Sequence, residues 1–378
     1  MQNNKEKLSV IFVGGFRHST PDGSYGGQIR ACRTLIDSPI SDYVKWIQID
    51  TTMQSNPPPS IFIRLYYSVI RLLQLLIYLI FKEVNTVLIF SSSGYSAYEK
   101  GLMVFISKLF HKKVVLSFRS GHLQKDINDS DVMRWFVKKV IRKCDILICQ
   151  SNYWKKYYGN IVGVNEEKIY IVKNWIKINE NYNINKNIED HNIVNVLYMS
   201  RISKSKGIYD LIYTVAKYRN EYTNCKFIIC GKGPAYEDVQ LLIRANNLED
   251  IFLFEGWITG DKKLSIINNS HIFVLPSYFE GMPNSIIEAM SASLPIISTN
   301  VGAIPELVQN EINGFIVTPG NIDELHTSII KLIKNRELRI KMGLNSRNRV
   351  INNHDISKMW VDIYEILLSN EKSMILKN

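Results

Sequence analysis

The chain has 378 residues, which is too many for one ordinary hydrophobic core and favours two domains. Its composition, 46% hydrophobic and 21% charged, is that of a globular protein. The formal net charge of +11 lies wholly in the first half: residues 1–180 hold 25 Lys and Arg against 14 Asp and Glu, whereas the remainder holds 21 of each. A basic half predicts either an anionic partner, such as phospholipid, a lipid phosphate or nucleic acid, or a merely solvated basic surface.

The cysteines and the N-terminal sequence indicate the compartment. Five cysteines are scattered along the chain without a C-x-x-C pair, as expected for a reduced cytoplasmic protein without structural zinc. The first residues, MQNNKEKLSVIFVGG, lead directly into an apolar strand pattern and lack the core of a signal peptide. We therefore expect a cytoplasmic protein.

Short apolar runs alternate with helical patterns along the whole chain, which is typical of parallel sheets built from βαβ units. In the first half the predicted strands are 8–15, 44–50, 86–93, 113–118, 144–151 and 168–174. In the second half they are 193–200, 225–233, 251–257, 271–277 and 295–300. The two series predict an α/β protein with two doubly wound domains.

The boundaries follow from composition. An Asn-rich stretch poor in apolar residues, 177–193, predicts a linker between a first domain, 1–176, and a second domain, 194–354. Residues 355–378 carry apolar side chains at helical spacing and predict a docking helix.

One segment raises a membrane question. Residues 61–81, IFIRLYYSVIRLLQLLIYLIF, are long enough to span a bilayer, but Arg64 and Arg71 interrupt them, and a charge near the bilayer centre is costly. We expect a helix that is mostly buried in the domain core or lies on a membrane surface, rather than a span.

Two strand ends in the second half carry groups suited to a diphosphate. Arg201 and Lys206 follow one strand and precede a helix that opens at Gly207, where free N–H groups also attract an anion. Gly231 and Gly233 follow the next strand and would let the backbone approach a ligand. Taken singly, the first motif also fits a solvated lysine-rich turn, and the second a tight βα turn.

The stretch EGMPNSIIE places two carboxylates, Glu280 and Glu288, on either side of a turn. We expect Glu280 on a loop, Asn284 as the cap of the following helix, and Glu288 in its opening turns. The stretch from Gly281 through Met282, Pro283 and Asn284 to Ser285 would bind the donor, with its free backbone N–H groups contacting phosphate or sugar oxygens, and the two carboxylates would bind polyols. The alternative is a helix-dipole role for Glu288 and a solvated Glu280.

In order and spacing, these motifs resemble the donor-binding half of the family-4-type retaining glycosyltransferases, over about residues 195–335. The series ends with TNVGAIPELV, residues 299–308. The resemblance implies a GT-B fold: two facing Rossmann-like domains, with a C-terminal helix crossing back to the first. It assigns the donor diphosphate to Arg201 and Lys206, the donor sugar to Glu280 and the ribose to Glu288. The loop at Gly302 and Ala303 would border the donor phosphates.

The first half resembles the same family more loosely. In its glycine-rich loop, Gly26 and Gly27 would approach the donor phosphate. Many relatives have a histidine at the end of the fourth strand, where this chain has Arg119, with His122 three residues later. The polar group near the reacting carbon is therefore left open between them, and Arg119 alternatively neutralises an acceptor phosphate.

The resemblance implies no bound metal or other cofactor. Asp129 and Asp131 match a D-x-D metal site only superficially, because they precede an amphipathic helix that they are better placed to cap. The sequence therefore predicts no metal site.

The expected function is retaining transfer of a sugar from a nucleotide diphosphate sugar, with UDP the expected nucleotide. The acceptor would be a hydroxyl of a glycan, expected to be lipid-linked, in bacterial surface polysaccharide such as lipopolysaccharide or capsule. The basic half and residues 61–81 suggest peripheral contact with the inner membrane face. A hydrolase or a nucleotide-sugar epimerase on the same fold are the enzyme alternatives. Nucleic-acid binding is disfavoured because no basic stripe interleaved with aromatics is present.

Overall fold

The computed structural model describes residues 7–17, 27–52, 59–184 and 193–369, which fall into two compact units. Unit 1 contains the described residues up to Lys177 and those from Ile356 onward, and unit 2 is Ile178–Asp355. Each unit is built around its own parallel sheet.

The sheet of unit 1 has six parallel strands in the order β2-β1-β3-β4-β5-β6. Each lies within one of the six runs predicted in the first half. They are β1 (Leu8–Gly14), β2 (Val44–Asp50), β3 (Thr86–Ser91), β4 (Lys113–Phe118), β5 (Ile146–Cys149) and β6 (Ile169–Ile171). The helices are α1 (Gly27–Ile36), α2 (Ile61–Phe81), α3 (Tyr95–Leu109), α4 (His122–Asp129), α5 (Asp131–Lys143), α6 (Asn152–Lys156) and α14 (Ile356–Leu368).

The sheet of unit 2 is also parallel, in the order β12-β11-β10-β7-β8-β9. Its strands are β7 (Val194–Met199), β8 (Cys225–Cys230), β9 (Phe252–Gly256), β10 (Ile272–Leu275), β11 (Ile296–Thr299) and β12 (Gly314–Val317). Its helices are α7 (Ile208–Lys217), α8 (Tyr236–Ala245), α9 (Gly260–Asn268), α10 (Asn284–Ser291), α11 (Ile304–Leu307), α12 (Ile322–Lys334) and α13 (Arg336–Asn353). The sequence predicted five of these strands and missed β12, an edge strand that opens on Gly314 and leaves only three apolar residues in a row, 315–317.

The last described helix, α14, completes the core of unit 1. It buries Ile356, Ile363, Ile366 and Leu367 in the cluster that also contains the apolar residues of β1 and β3. The backbone N–H of Ile356 donates to the carbonyl of Ile176 at 3.0 Å. Unit 1 is therefore assembled from two separate parts of the chain.

Residues 61–81 form one continuous helix, α2, that is largely exposed. Among its 21 residues only Ser68, Leu75 and Leu79 are buried, so a helix mostly buried in the domain core was a wrong expectation. By length and composition alone α2 is long and apolar enough to cross a membrane, and it is the only such helix in the described ranges.

Asp129 is the last residue of α4 and Asp131 is the first residue of α5. The cap of α5 is neither aspartate but Ser130, whose Oγ accepts from the N–H of Met133 at 3.2 Å. Asp131 pairs instead with Arg134 at 3.0 Å. Within the ranges described, no three His, Cys, Asp or Glu side chains are grouped so as to hold a metal ion.

Candidate active site

The strand order of unit 2 reverses between β7 and β10. The chain proceeds from β7 outward to β8 and β9, then returns to place β10 on the other side of β7. Ligands of open parallel sheets bind beyond the carboxyl ends of the strands at such a switch point. The loop with Arg201 and Lys206 follows β7, and the loop with Glu280 follows β10, so both predicted groups lie at this point.

Lys206 and Glu280 form an ion pair across the switch point. The Lys206 Nζ lies 2.6 Å from Glu280 Oε1, and the same oxygen accepts from Ser277 Oγ at 2.9 Å. Only 16% of the lysine side chain and 9% of the glutamate side chain are exposed. Both bonds involve Oε1, so the carboxylate is fixed in orientation while Oε2 accepts no hydrogen bond from the residues described.

Backbone contacts hold the two loops against each other. The N–H of Tyr278 donates to the carbonyl of Ser205 at 2.9 Å, and Lys206 Nζ donates to the carbonyl of Phe279 at 3.2 Å. Beneath them Tyr198 donates to the carbonyl of Lys206 at 3.3 Å. Burial, and then the nearby Glu280 carboxylate, raise the pKa of Tyr198 above its ordinary value, so its phenol is neutral at physiological pH. Arg201, in contrast, is exposed at the start of its loop.

Gly231 and Gly233 follow β8 as predicted, but a neighbouring loop occupies the space that their side chains would fill. A Cβ on Gly231 would lie 1.9 Å from the carbonyl oxygen of Ser200, and one on Gly233 would lie 2.2 Å from that of Ile202. These glycines let the loop of β8 pack on the loop that carries Arg201. Their role in approaching a ligand stays a prediction.

The stretch after Glu280 forms the start of α10. The helix begins at Asn284, and the residue before it, Pro283, stands at the cap position without a side-chain hydrogen bond, so the prediction that Asn284 caps this helix was wrong. Gly281, Met282 and Pro283 are all buried. Gly302, with a φ of 56°, packs on this turn, because a Cβ there would lie 2.1 Å from the carbonyl oxygen of Glu280. The Gly302 and Glu280 loops are therefore adjacent.

Glu288 lies in the second turn of α10, one turn later than the first-turn alternative requires. It is buried, and Lys263 of α9 donates to its Oε2. Sequence reasoning missed Lys263 and the hydroxyl of Ser277 as partners of the two glutamates. Ser277 was detectable, since it lies three residues before Glu280, whereas Lys263 lies 25 residues before Glu288 on another helix.

Arg119 follows β4 at the carboxyl edge of the unit 1 sheet and is enclosed by two aromatic rings. Its guanidinium lies 4.7 Å from the ring centres of Phe90 and Trp175, and its Nη2 donates to Asn174 Oδ1 at 2.5 Å. Burial lowers the pKa of Arg119 to about 10, and the nearby Cys32 opposes that shift, so the side chain stays cationic at neutral pH. Cation–π contacts of this kind partly replace the lost hydration.

Three buried donors at this edge have no hydrogen-bond partner among the described residues: Arg119 Nη1, Trp175 Nε1 and Gln150 Nε2. Trp175 touches Arg119 directly, and Gln150 follows the adjacent strand β5. Buried donors without an acceptor are costly, and a ligand that offers oxygen acceptors at this edge would satisfy them.

The other predicted residues of unit 1 are less informative. His122 is the first residue of α4, three residues after Arg119. Gly27 is the first residue of α1, and Gly26 lies outside the described residues. The assignment of Gly26, Gly27 and His122 to the site stays a prediction.

In comparisons with known proteins, a family model matches most of the second half of the chain. The family described as "Glycosyl transferases group 1" matches residues 179–349. A UDP-Gal:alpha-D-GlcNAc-diphosphoundecaprenol alpha-1,3-galactosyltransferase of Escherichia coli is 34% identical over 147 residues, covering 38% of this chain and 37% of that protein. The capsular polysaccharide biosynthesis glycosyltransferase CapM of Staphylococcus aureus is 30% identical over 210 residues, covering 54% and 52%. The chain thus spans about half the length, or less, of these curated relatives.

Among solved structures, Alr3699/HepE of Anabaena in complex with UDP and glucose is similar with a TM-score of 0.74 at 16% identity, covering 95% of this chain and 99% of that one. At this identity the likeness concerns the fold alone. The two six-stranded parallel sheets are those of the GT-B glycosyltransferases, as the sequence predicted.

Proposed function

Because residues 179–349 match the glycosyl transferases group 1, we propose that the chain belongs to this family and transfers a sugar from a nucleotide diphosphate sugar to a hydroxyl group of a glycan acceptor. The observation that carries the proposal is the Lys206–Glu280 ion pair at the switch point of unit 2. A cation and an oriented carboxylate in contact match a ligand in which a diphosphate is joined to a polyol. A neutral glycoside, the substrate of a hydrolase, carries no anionic group for Lys206 to bind.

Each member of the pair binds a different part of the donor, Lys206 the diphosphate and Glu280 the sugar. Lys206 faces the diphosphate together with Arg201, whose exposed guanidinium can turn toward a phosphate, and the N-terminus of α10 adds a positive dipole. Glu280 accepts sugar hydroxyls through Oε2, since Lys206 and Ser277 both bind Oε1. Glu288, oriented by Lys263, accepts the ribose hydroxyls. UDP is the proposed nucleotide, supported by the donor named for the Escherichia coli relative.

In this mechanism the carboxylate positions the sugar and is not the nucleophile. As the bond to the departing phosphate breaks, negative charge grows on the diphosphate and is met by cations already in place, with no metal ion required. The acceptor hydroxyl attacks from the same face, and an oxygen of the leaving phosphate takes its proton. The anomeric configuration is thereby retained.

The acceptor is proposed to be a lipid-linked glycan used for a surface polysaccharide such as lipopolysaccharide or capsule, at the cytoplasmic face of the membrane. The names of the Escherichia coli and Staphylococcus aureus relatives support this class. The buried donors around Arg119 support it independently, because a lipid-linked glycan carries phosphate oxygens that they can bind.

The test is a Lys206→Ala variant, assayed for release of UDP from a panel of UDP-sugars and for UDP binding by calorimetry. Loss of one preorganised charge should lower the turnover number about 100-fold to 1,000-fold and weaken UDP binding. Lys204→Ala is the matched control, because Lys204 lies in the same short turn but is exposed and should keep full activity. A Lys206→Ala enzyme as active as the control would overturn the diphosphate assignment.

A further inference from the structure

Helix α2 directs its arginines toward the rest of unit 1 and its apolar side chains away from it, the reverse of an ordinary surface helix. Its polar side chains face unit 1: Arg71 Nε lies 2.6 Å from Glu99 Oε1, and Arg71 Nη2 donates to Ser68 Oγ at 3.1 Å. Arg64 lies over the ring of Tyr95 at 4.7 Å. A surface helix of a globular protein normally turns its apolar stripe to the core and its polar residues to water. Here the arginines point inward.

The opposite face of α2, which we call the outer face, is apolar along its whole length. Its side chains are between 46% and 79% exposed and recur at spacings of three and four residues. They are Phe62, Leu65, Tyr66, Val69, Leu73, Ile77 and Ile80. At 1.5 Å per residue this face is about 27 Å long, and a contiguous apolar stripe of that size marks an interaction surface.

Helix α5, which packs on the helix next to α2, carries exposed cations. Helix α3 packs between α2 and α5, and it exposes Leu102 and Leu109. Helix α5 exposes Trp135, with Lys139 Nζ 5.7 Å from its ring, and carries Arg142 and Lys143 exposed in its last turn. An exposed tryptophan, exposed lysines and arginines, and an apolar helix in one unit are the composition of proteins that lie in the headgroup region of anionic bilayers.

From this arrangement we propose that the outer face of α2 docks in the surface of a lipid bilayer that contains anionic headgroups, with the helix lying in the plane of the membrane. The exposed apolar side chains enter the boundary between headgroups and acyl chains, and the cations of α5 contact lipid phosphates. A second copy of the chain fits less well, since two identical faces would bring the cations of both α5 helices together.

A membrane span is incompatible with how α2 is held. Arg71 ties the middle of the helix to the buried Glu99 of α3. Only four residues connect Phe81 to the first residue of β3, and within them the N–H of Asn85 donates to the carbonyl of Ser9 at 2.9 Å. Both flanking strands belong to one sheet, so a spanning helix would place its ends on opposite sides of a bilayer about 30 Å thick while the strands before and after it stay on one side.

This surface deepens the proposed function, because it would bring the enzyme to a lipid-linked acceptor, but docking itself needs neither donor nor acceptor. The test is flotation of the full-length protein with vesicles of equal parts phosphatidylglycerol and phosphatidylcholine. We expect binding at physiological salt, weaker binding to phosphatidylcholine alone, and partial retention at about 1 M NaCl, since apolar insertion is not screened.

The Leu73→Glu/Ile77→Glu double variant should reduce vesicle binding at least tenfold. Both positions are about half exposed, so the fold and the vesicle-free release of UDP should be unchanged. Leu241→Glu, at an exposed leucine of α8 in unit 2, is the matched control and should bind vesicles like the wild type.

Three outcomes would overturn the proposal: a wild type that ignores phosphatidylglycerol vesicles, a double variant that binds as well as the control, or a dimer that only the double variant disrupts. Protein that resists extraction from membranes by alkaline carbonate would indicate a span instead. Lost vesicle binding with intact UDP release separates this surface from the donor chemistry. A wild-type protein that binds vesicles but releases no UDP from any UDP-sugar would contradict the proposed function and leave the docking proposal standing.

Discussion

The carboxyl edges of the two sheets hold their polar groups in opposite ways. In unit 2 the buried charges are already paired, Lys206 with Glu280 and Lys263 with Glu288. In unit 1 the buried Arg119 Nη1 and Trp175 Nε1 have no acceptor among the described residues. Both sheets have the same parallel architecture, so the difference lies in the loops. The carboxyl edge of unit 2, which we call the paired edge, has its charged side chains held in position before a ligand binds. The carboxyl edge of unit 1, which we call the unpaired edge, can complete its hydrogen bonds only with a ligand.

The largest expected effect tests the paired edge. Glu280→Gln keeps the shape of the side chain but removes the charge that Lys206 and the donor sugar require, so the turnover number should fall at least 100-fold. Glu237→Gln, at an exposed glutamate in the first turn of α8, is the control. Initial rates of UDP release and melting temperatures measured together check this prediction. A variant within threefold of the control rate would show that the pair is structural.

A smaller effect tests the unpaired edge. Arg119→Lys keeps the charge but loses Nη1 and the planar stack between Phe90 and Trp175, so affinity for a lipid diphosphate should fall about tenfold. Geranyl diphosphate is the probe, and calorimetry is the measurement. UDP binding by unit 2 should be unaffected and serves as the internal control. Equal affinity of the variant and the wild type for the probe would show that the missing bonds of Arg119 do not await a ligand.

The smallest expected effect tests the role of the Lys263–Glu288 pair at the paired edge. Lys263→Met leaves Glu288 without its partner from α9, so the dissociation constant of UDP should rise about threefold to tenfold while the turnover number stays constant. Lys262→Met is the control, because the neighbouring lysine pairs with Glu255 at an exposed position. If turnover fell with affinity unchanged, Glu288 would act on the reacting sugar and not on the ribose.

The strands were predictable because fully buried parallel strands give continuous apolar runs, and eight of the twelve strands have at least four consecutive buried residues. The exception that was missed, β12, is an edge strand of four residues. The meeting of Lys206 and Glu280 was also predictable, because both follow strands whose carboxyl ends share one sheet edge. Spacing alone could not reveal Lys263, which reaches Glu288 from a different helix.

The sequence did not determine which way a predicted surface faces or what packs against it. The apolar period of residues 61–81 is the same whether the stripe faces the core or the surroundings, and tertiary contacts such as the Arg71–Glu99 pair determine that it faces outward. Likewise, glycines at 231 and 233 indicate a missing Cβ, but not whether a ligand or the carbonyls of Ser200 and Ile202 fill the space. Tertiary contacts decide such cases, and these contacts join residues far apart in the chain.

The position of α14 has a consequence for the order in which the protein is made. Unit 1 draws its core from the start of the chain and from Ile356–Leu368, with all of unit 2 encoded between them. On the ribosome, unit 2 therefore has its complete sequence before unit 1 does, and the apolar positions of unit 1 that receive Ile363, Ile366 and Leu367 wait for the last helix to be synthesised. The first domain to begin synthesis is thus the second to be finished.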